Sequence, residues 1–225
     1  MKRLIIALLV LWCGAVYAAE PADSVTVVRS LLNEASASFW SDAELQEFLD
    51  QGVYDIAAKA RCIQGSDTFL LVTSQYEYTT FVASSSTTIS YVRGCIYISP
   101  DNEYIGLKRI YPSQISDLPH MLAGPPKYFY HVNSIIGIFP LPTASENGES
   151  VKIYYASKPT GATLALRIAE LPAEFMSPLY WYAASMAYKK EHRYAESDKF
   201  YQMYQQELTA LKQELYSAPP EQPTK

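Results

Sequence analysis

Trp40-Ser41-Asp42-Ala43-Glu44-Leu45-Gln46-Glu47-Phe48-Leu49 decides how the rest of the chain is read. Ser41 with Glu44 three residues on is a capping box, in which each side chain accepts a hydrogen bond from the other residue's amide. Trp40 stands where a hydrophobic staple belongs. Apolar residues then recur at Leu45, Phe48, Leu49, Val53, Ile56, Ala57 and Ala60, the period of a helix with one buried face. Gly52 interrupts that face at a cost of about 1 kcal/mol against Ala, so tertiary packing must offset it. Gln64-Gly65-Ser66-Asp67 reads as the stop.

Upstream, Asp23 or Ser24 is placed to cap a first helix running to about residue 35, with Val27, Leu31 and Leu32 on one face. Residues 1–18 have a different character. Lys2-Arg3 precede an apolar run over 4–12, and small residues lead to Val16-Tyr17-Ala18-Ala19. That is the layout of a secretory signal peptide cut after Ala18, and the run is short for a permanent membrane span. Lipidation at Cys13 ranks second, because Trp12 fills the position where lipoproteins carry a small residue. Without this leader only Cys62 and Cys95 remain. They pair in an oxidising compartment or stay as buried free thiols in a reducing one.

Downstream the period changes. Residues 69–73, 76–82, 87–91, 95–99, 105–110, 127–132, 135–139 and 151–156 are short runs rich in aromatic and β-branched residues. Ser84-Ser85-Ser86 is read as a loop and Asn133-Ser134 as a two-residue hairpin turn. At Leu171-Pro172 the helical period returns. Pro178 predicts a kink, or a helix that starts only at Ser177. Leu179, Tyr182, Ala183, Met186 and Ala187 make one apolar face, and Glu191-His192-Arg193 the turn. Tyr194, Ser197, Tyr201, Tyr204, Leu208, Leu211 and Leu215 then form a seam with alternating spacings of three and four. The seam serves either the hairpin itself or a neighbouring subunit.

The expected fold is therefore α+β. Helices over 24–63 and a helical hairpin over 171–217 form one bundle, an antiparallel β region over 69–157 is inserted between them, and 218–225 is a polar, proline-rich disordered tail.

Composition narrows the function. Hydrophobic residues make up 49% of 225, enough for a sizeable core. The net charge of −5, from 18 basic and 23 acidic residues, argues against a protein whose main task is gripping phosphates. The 19 tyrosines suit sheets and subunit interfaces, each offering large area plus a hydroxyl. The histidines, His120, His131 and His192, lack close Cys or His partners at metal-ligand spacing. No nucleophile elbow, phosphate loop or dinucleotide fingerprint occurs. Asp42, Glu44, Glu47 and Asp50 crowd one helix, where the first two complement its positive end. No catalytic, cofactor or metal residues are assigned.

Several signals in order resemble the head–tail adaptor (connector) family of tailed phages. They are the Trp40-Ser41-Asp42-Ala43-Glu44-Leu45 opening, then Leu107-Lys108-Arg109-Ile110, Gly124-Pro125-Pro126-Lys127-Tyr128, Ile138-Phe139-Pro140-Leu141-Pro142 and Val151-Lys152-Ile153-Tyr154-Tyr155. Leu171-Pro172-Ala173-Glu174-Phe175, followed by 179–188, is similar to the family's closing helix pair. The set spans 40–216. The resemblance implies a ring docked on the portal protein, extending the DNA channel and offering a platform to tail proteins. DNA would pass without sequence-specific binding, with no stable membrane association, and assembly would take place in the host cytoplasm. A net-acidic ring suits that task, since cationic walls bind phosphates. Under this reading the thiols are free, and the candidate contact residues are Tyr194, Tyr201 and Tyr204 of the last helix and Ser84, Ser85, Ser86 and Thr87. The leader departs from the family's pattern. It carries the alternative of an exported periplasmic or envelope protein that binds partners through a TPR-like hairpin, faintly marked by Ala184, Tyr188, Ala195 and Tyr201.

Overall fold

The computed structural model describes residues 21–34, 36–37, 39–79, 89–115, 123–133 and 135–217. The N-terminal helices are α1 (Pro21–Leu31) and α2 (Asp42–Ala60). At the start of α2 the capping box is formed as expected. The Glu44 amide donates to Ser41 Oγ at 3.3 Å, and the Ser41 amide to Glu44 Oε2 at 3.0 Å. Trp40 and Leu45 are buried in one core, completing the staple. α1 begins three residues earlier than Ser24, with Pro21 suited to a first helical position. Its buried side is Ser24, Val25 and Val28, continued by Leu32, while Val27 faces solvent.

The segment read as a stop after α2 is a strand. Arg61 ends the helix in the left-handed region at φ 53°, and β1 (Gln64–Leu70) follows within three residues. Its Gly-Ser-Asp composition has the chemistry of a turn. Pairing overrides it: β1 runs antiparallel to β8 (Ser150–Ser157) from Gln64↔Ala156 to Leu70↔Ser150. At Gly65 the outer edge of the Tyr155 ring packs over the backbone, 2.8 Å from where a Cβ would stand, so a larger residue would have to push that ring aside.

β3 (Ile89–Ile98) joins two runs that the sequence separates. Register shifts against β8 fall at Ser90 and at Arg93, and across the second Val92, Cys95 and Tyr97 all point inward although alternation fails between the first two. With β4 (Tyr104–Gly106) these strands make one sheet in the order β1-β8-β3-β4. The chain crosses at buried Leu107 to β5 (Lys108–Arg109). The second sheet has the order β2-β7-β6-β5, with β2 (Glu77–Thr79), β6 (Tyr128–Val132) and β7 (Ile135–Phe139). β6 and β7 are antiparallel down to Val132↔Ile135, with Asn133 at φ 53°. The insert is antiparallel as expected except at the two-residue β5, which pairs parallel with β6. The long connection between them permits that crossover. Val92, Tyr97, Val151 and Ile153 from one sheet, and Phe129, Ile136 and Ile138 from the other, form a single core between the sheets.

The chain leaves the insert beside the point where it began. The Ser157 amide donates to the Ile63 carbonyl at 2.9 Å. A short helix absent from the sequence reading, α3 (Leu164–Ala169), is capped by Thr163 and buries Ile168 against the bundle. The 3₁₀ turn Ala173–Phe175 then leads into α4 (Met176–Lys190). Pro178 sits in the first turn, where its missing N–H is harmless, and the helix begins at Met176 instead of Ser177. α5 (Tyr194–Ser217) returns antiparallel after a turn with His192 at φ 62°. α2, α4 and α5 share one core through Leu49, Val53, Leu179, Ala183, Tyr204 and Leu208. The helices on either side of the insert thus pack together, as their apolar faces demand.

Candidate assembly interface

The hairpin is locked along its length. Trp181 Nε1 and Ser177 Oγ donate to the Glu207 carboxylate at 2.8 and 2.9 Å. Phe200 stacks on Trp181 and Tyr188 with centroids 5.7 and 5.4 Å apart. Ser197 Oγ donates to the Ser185 carbonyl at 2.9 Å, a small–small contact that lets the helices close up. This seam serves the chain's own bundle.

That result separates the candidate tyrosines. Tyr204 is fully buried and donates to Asp55, which pairs with Lys59 at 2.7 Å. Burial first, then the Asp55 hydrogen bond, push its hydroxyl pKa upward. Tyr204 is a core residue, and its proposal as an exposed contact is corrected on that ground. Tyr201 is half-buried, tilted against Tyr204 with the Lys59 ammonium 5.9 Å from its ring. Tyr194 is exposed at the start of α5, its hydroxyl 3.0 Å from His192 Nδ1. Ser84, Ser85, Ser86 and Thr87 lie outside the described residues.

Sequence reasoning missed the most distinctive surface, at the seam between bundle and sandwich. The Arg61 and Arg109 guanidiniums lie 3.8 and 4.5 Å from the centroid of the Tyr91 ring. Arg109 also donates to the Val92 carbonyl at 3.1 Å. Arg93 stands over Tyr216 at 5.2 Å, and Tyr216 reaches back to the Ala60 carbonyl at 3.5 Å. The cluster unites the ends of α2 and α5 with β3 and β5, which no linear motif reveals. Nearby His131 has a lowered pKa through burial, then the Arg109 charge.

Cys62 belongs to the helical core and Cys95 to the sandwich core, both as free thiols. Burial raises both, Cys62 to about 12. Among the described residues no three His, Cys, Asp or Glu side chains cluster to hold a metal. No described helix is long and apolar enough to cross a membrane.

The family model for SU10 adaptor protein matches residues 22–223, nearly the whole chain. The chain belongs to the SU10 adaptor protein family. With that membership goes the role of a head–tail connector, a structural part of the virion. No curated protein matches the chain. Solved structures include one described as the neck of an empty GTA particle computed with C6 symmetry, 15% identical over 79% of this chain and 81% of that chain, with a TM-score of 0.30. Another is the virion of a native gene transfer agent particle, 16% identical over 79% and 82%, with a TM-score of 0.28.

Proposed function

We propose that the SU10 adaptor chain forms a closed ring seated on the portal and presents a platform to the tail, extending the DNA channel. The observation that carries this reading is the family match across 22–223. The work is geometric and non-catalytic. A rigid three-helix frame holds a two-sheet module, and copies related by rotation repeat one heterologous contact until the ring closes. The free subunit is expected to be monomeric, because a portal template raises the local concentration of neighbours. The ring sits at the head–tail junction, is assembled in the host cytoplasm, and passes DNA without reading its sequence.

Deletion of the gene tests this. Heads should package DNA, then lose it or fail to acquire tails. Normal infectious particles from that deletion would leave the leader-based alternative, an exported binding protein, as the better account.

A further inference from the structure

The described arginines fall into two groups. Arg29, Arg167 and Arg193 each pair with a carboxylate at 2.6–2.8 Å. Arg61, Arg93 and Arg109 make no ion pair among the described residues, and all three meet at the seam around Tyr91 and Tyr216. Guanidiniums on tyrosine faces are half-satisfied: the ring supplies a weak quadrupole and leaves most N–H donors free. Three such cations gathered in a chain of net charge −5 create a local positive potential that attracts an anionic partner.

The chain itself carries a matching group. Between β3 and β4 a tight loop holds Asn102 at φ 59°, with the Asn102 amide on the Ser99 carbonyl at 2.9 Å and the Ser99 amide on the Glu103 carbonyl at 3.0 Å. It presents Asp101 and Glu103, both exposed and, among the described residues, without an ion pair. Arg93 lies midway along β3, and Asp101 lies in the turn three residues beyond its end at Ile98. The five strand residues after Arg93 alone span roughly 16 Å at about 3.3 Å per residue. The strand thus holds a subunit's own loop away from its own arginines, and the same loop of another copy is free to meet them.

We infer that the Arg61–Arg93–Arg109 seam receives the Asp101–Glu103 loop of the adjacent copy. The inference rests on the ring reading and deepens it by naming the subunit contact. A cationic patch beside the strand and an acidic loop beyond its end are different surfaces of one subunit, so their pairing is head-to-tail, the kind of contact that closes into rings. Guanidiniums are suited to bidentate carboxylate recognition. The pairing also neutralises arginines that would otherwise grip the phosphates of passing DNA.

The test uses full-length chain assembled in particles. A variant carrying Arg93→Cys and Asp101→Cys should give, after mild oxidation, a ladder of linked subunits on a non-reducing gel, whereas Arg93→Cys alone should not. Arg93→Glu should lower particle yield about tenfold, and Asp101→Lys with Glu103→Lys in the same chain should restore most of it. Both positions are exposed, so unchanged melting of each purified variant confirms that folding is intact. Incorporated chain that never ladders, together with charge swaps that do not rescue, overturns this contact while leaving the ring reading in place. Loss of DNA from Arg93→Glu particles of normal yield overturns it in favour of nucleic acid as the anion. Chain absent from wild-type particles defeats the ring reading itself.

Discussion

Gly52→Ala tests the packing of the bundle at its closest point. On an isolated helix the change is favourable by about 1 kcal/mol, because Ala loses less backbone entropy. In this bundle the added methyl lands 2.7 Å from Leu179 Cδ1 and 2.9 Å from Tyr182 Cδ1, inside van der Waals contact on both sides. Leu179 is fully buried, so moving it aside disturbs the close-packed core around it. Overpacking of this kind costs about 1–3 kcal/mol. With two groups displaced at once the upper part of that range applies, so the net effect is a loss of about 1–2 kcal/mol. For a chain of this size each kcal/mol moves the melting midpoint by about 2–4 °C, so a drop of several degrees is expected. The assay is calorimetric or fluorescence melting beside Gln51→Ala, an exposed neighbour that should change little. A double-mutant cycle with Leu179→Ala sharpens it: that truncation should cost about 1 kcal/mol less in the Gly52→Ala background. A Gly52→Ala chain as stable as wild type, or no coupling to Leu179, would refute the close approach of α2 and α4.

Arg29, 7% exposed, donates to Glu34, Asp42 and the Trp40 carbonyl, tying the α1–α2 connection together; Arg29→Met removes the charge partner of Glu34, which keeps the Phe39 and Trp40 amides, and should cost about 2 kcal/mol in denaturant titration. Glu44 is held at about 2 by its hydrogen bond with Lys190 first, then by Ser41. A depressed folded-state pKa gives stability that is complete above the ordinary 4.5 and lost as pH falls towards 2, so Glu44→Gln should flatten the acid limb of the stability profile. Cys62 and Cys95 should ignore a thiol reagent in the native chain and both react after denaturation; their absence from the denatured count would establish a disulfide and an oxidising compartment.

What the sequence made legible was whatever depends on neighbours along the chain. The capping box at Ser41, the three-and-four seam of α5 from Ser197 to Leu215 and the Asn133 turn are local devices that appear where expected, while Tyr194 falls outside the seam. The misreadings lie where distant pairing overrides local chemistry. Gly65-Ser66-Asp67 has turn composition but is held extended by β8. The bulge at Arg93-Gly94 breaks the alternation that would have revealed β3 as one strand. Tyr204 has the spacing of the seam, and periodicity alone does not tell a face covered by the same chain from one kept for a neighbour. The arginine seam was illegible because its members come from four elements and meet only in the fold.

High-resolution electron microscopy of the neck in purified particles tests the central claim most directly. The account predicts a closed ring of this chain between portal and tail, each copy recognisable by its α4–α5 hairpin and two-sheet module, with the DNA channel running through the centre. A neck without this chain, in particles from cells that export it to the envelope, would contradict the account.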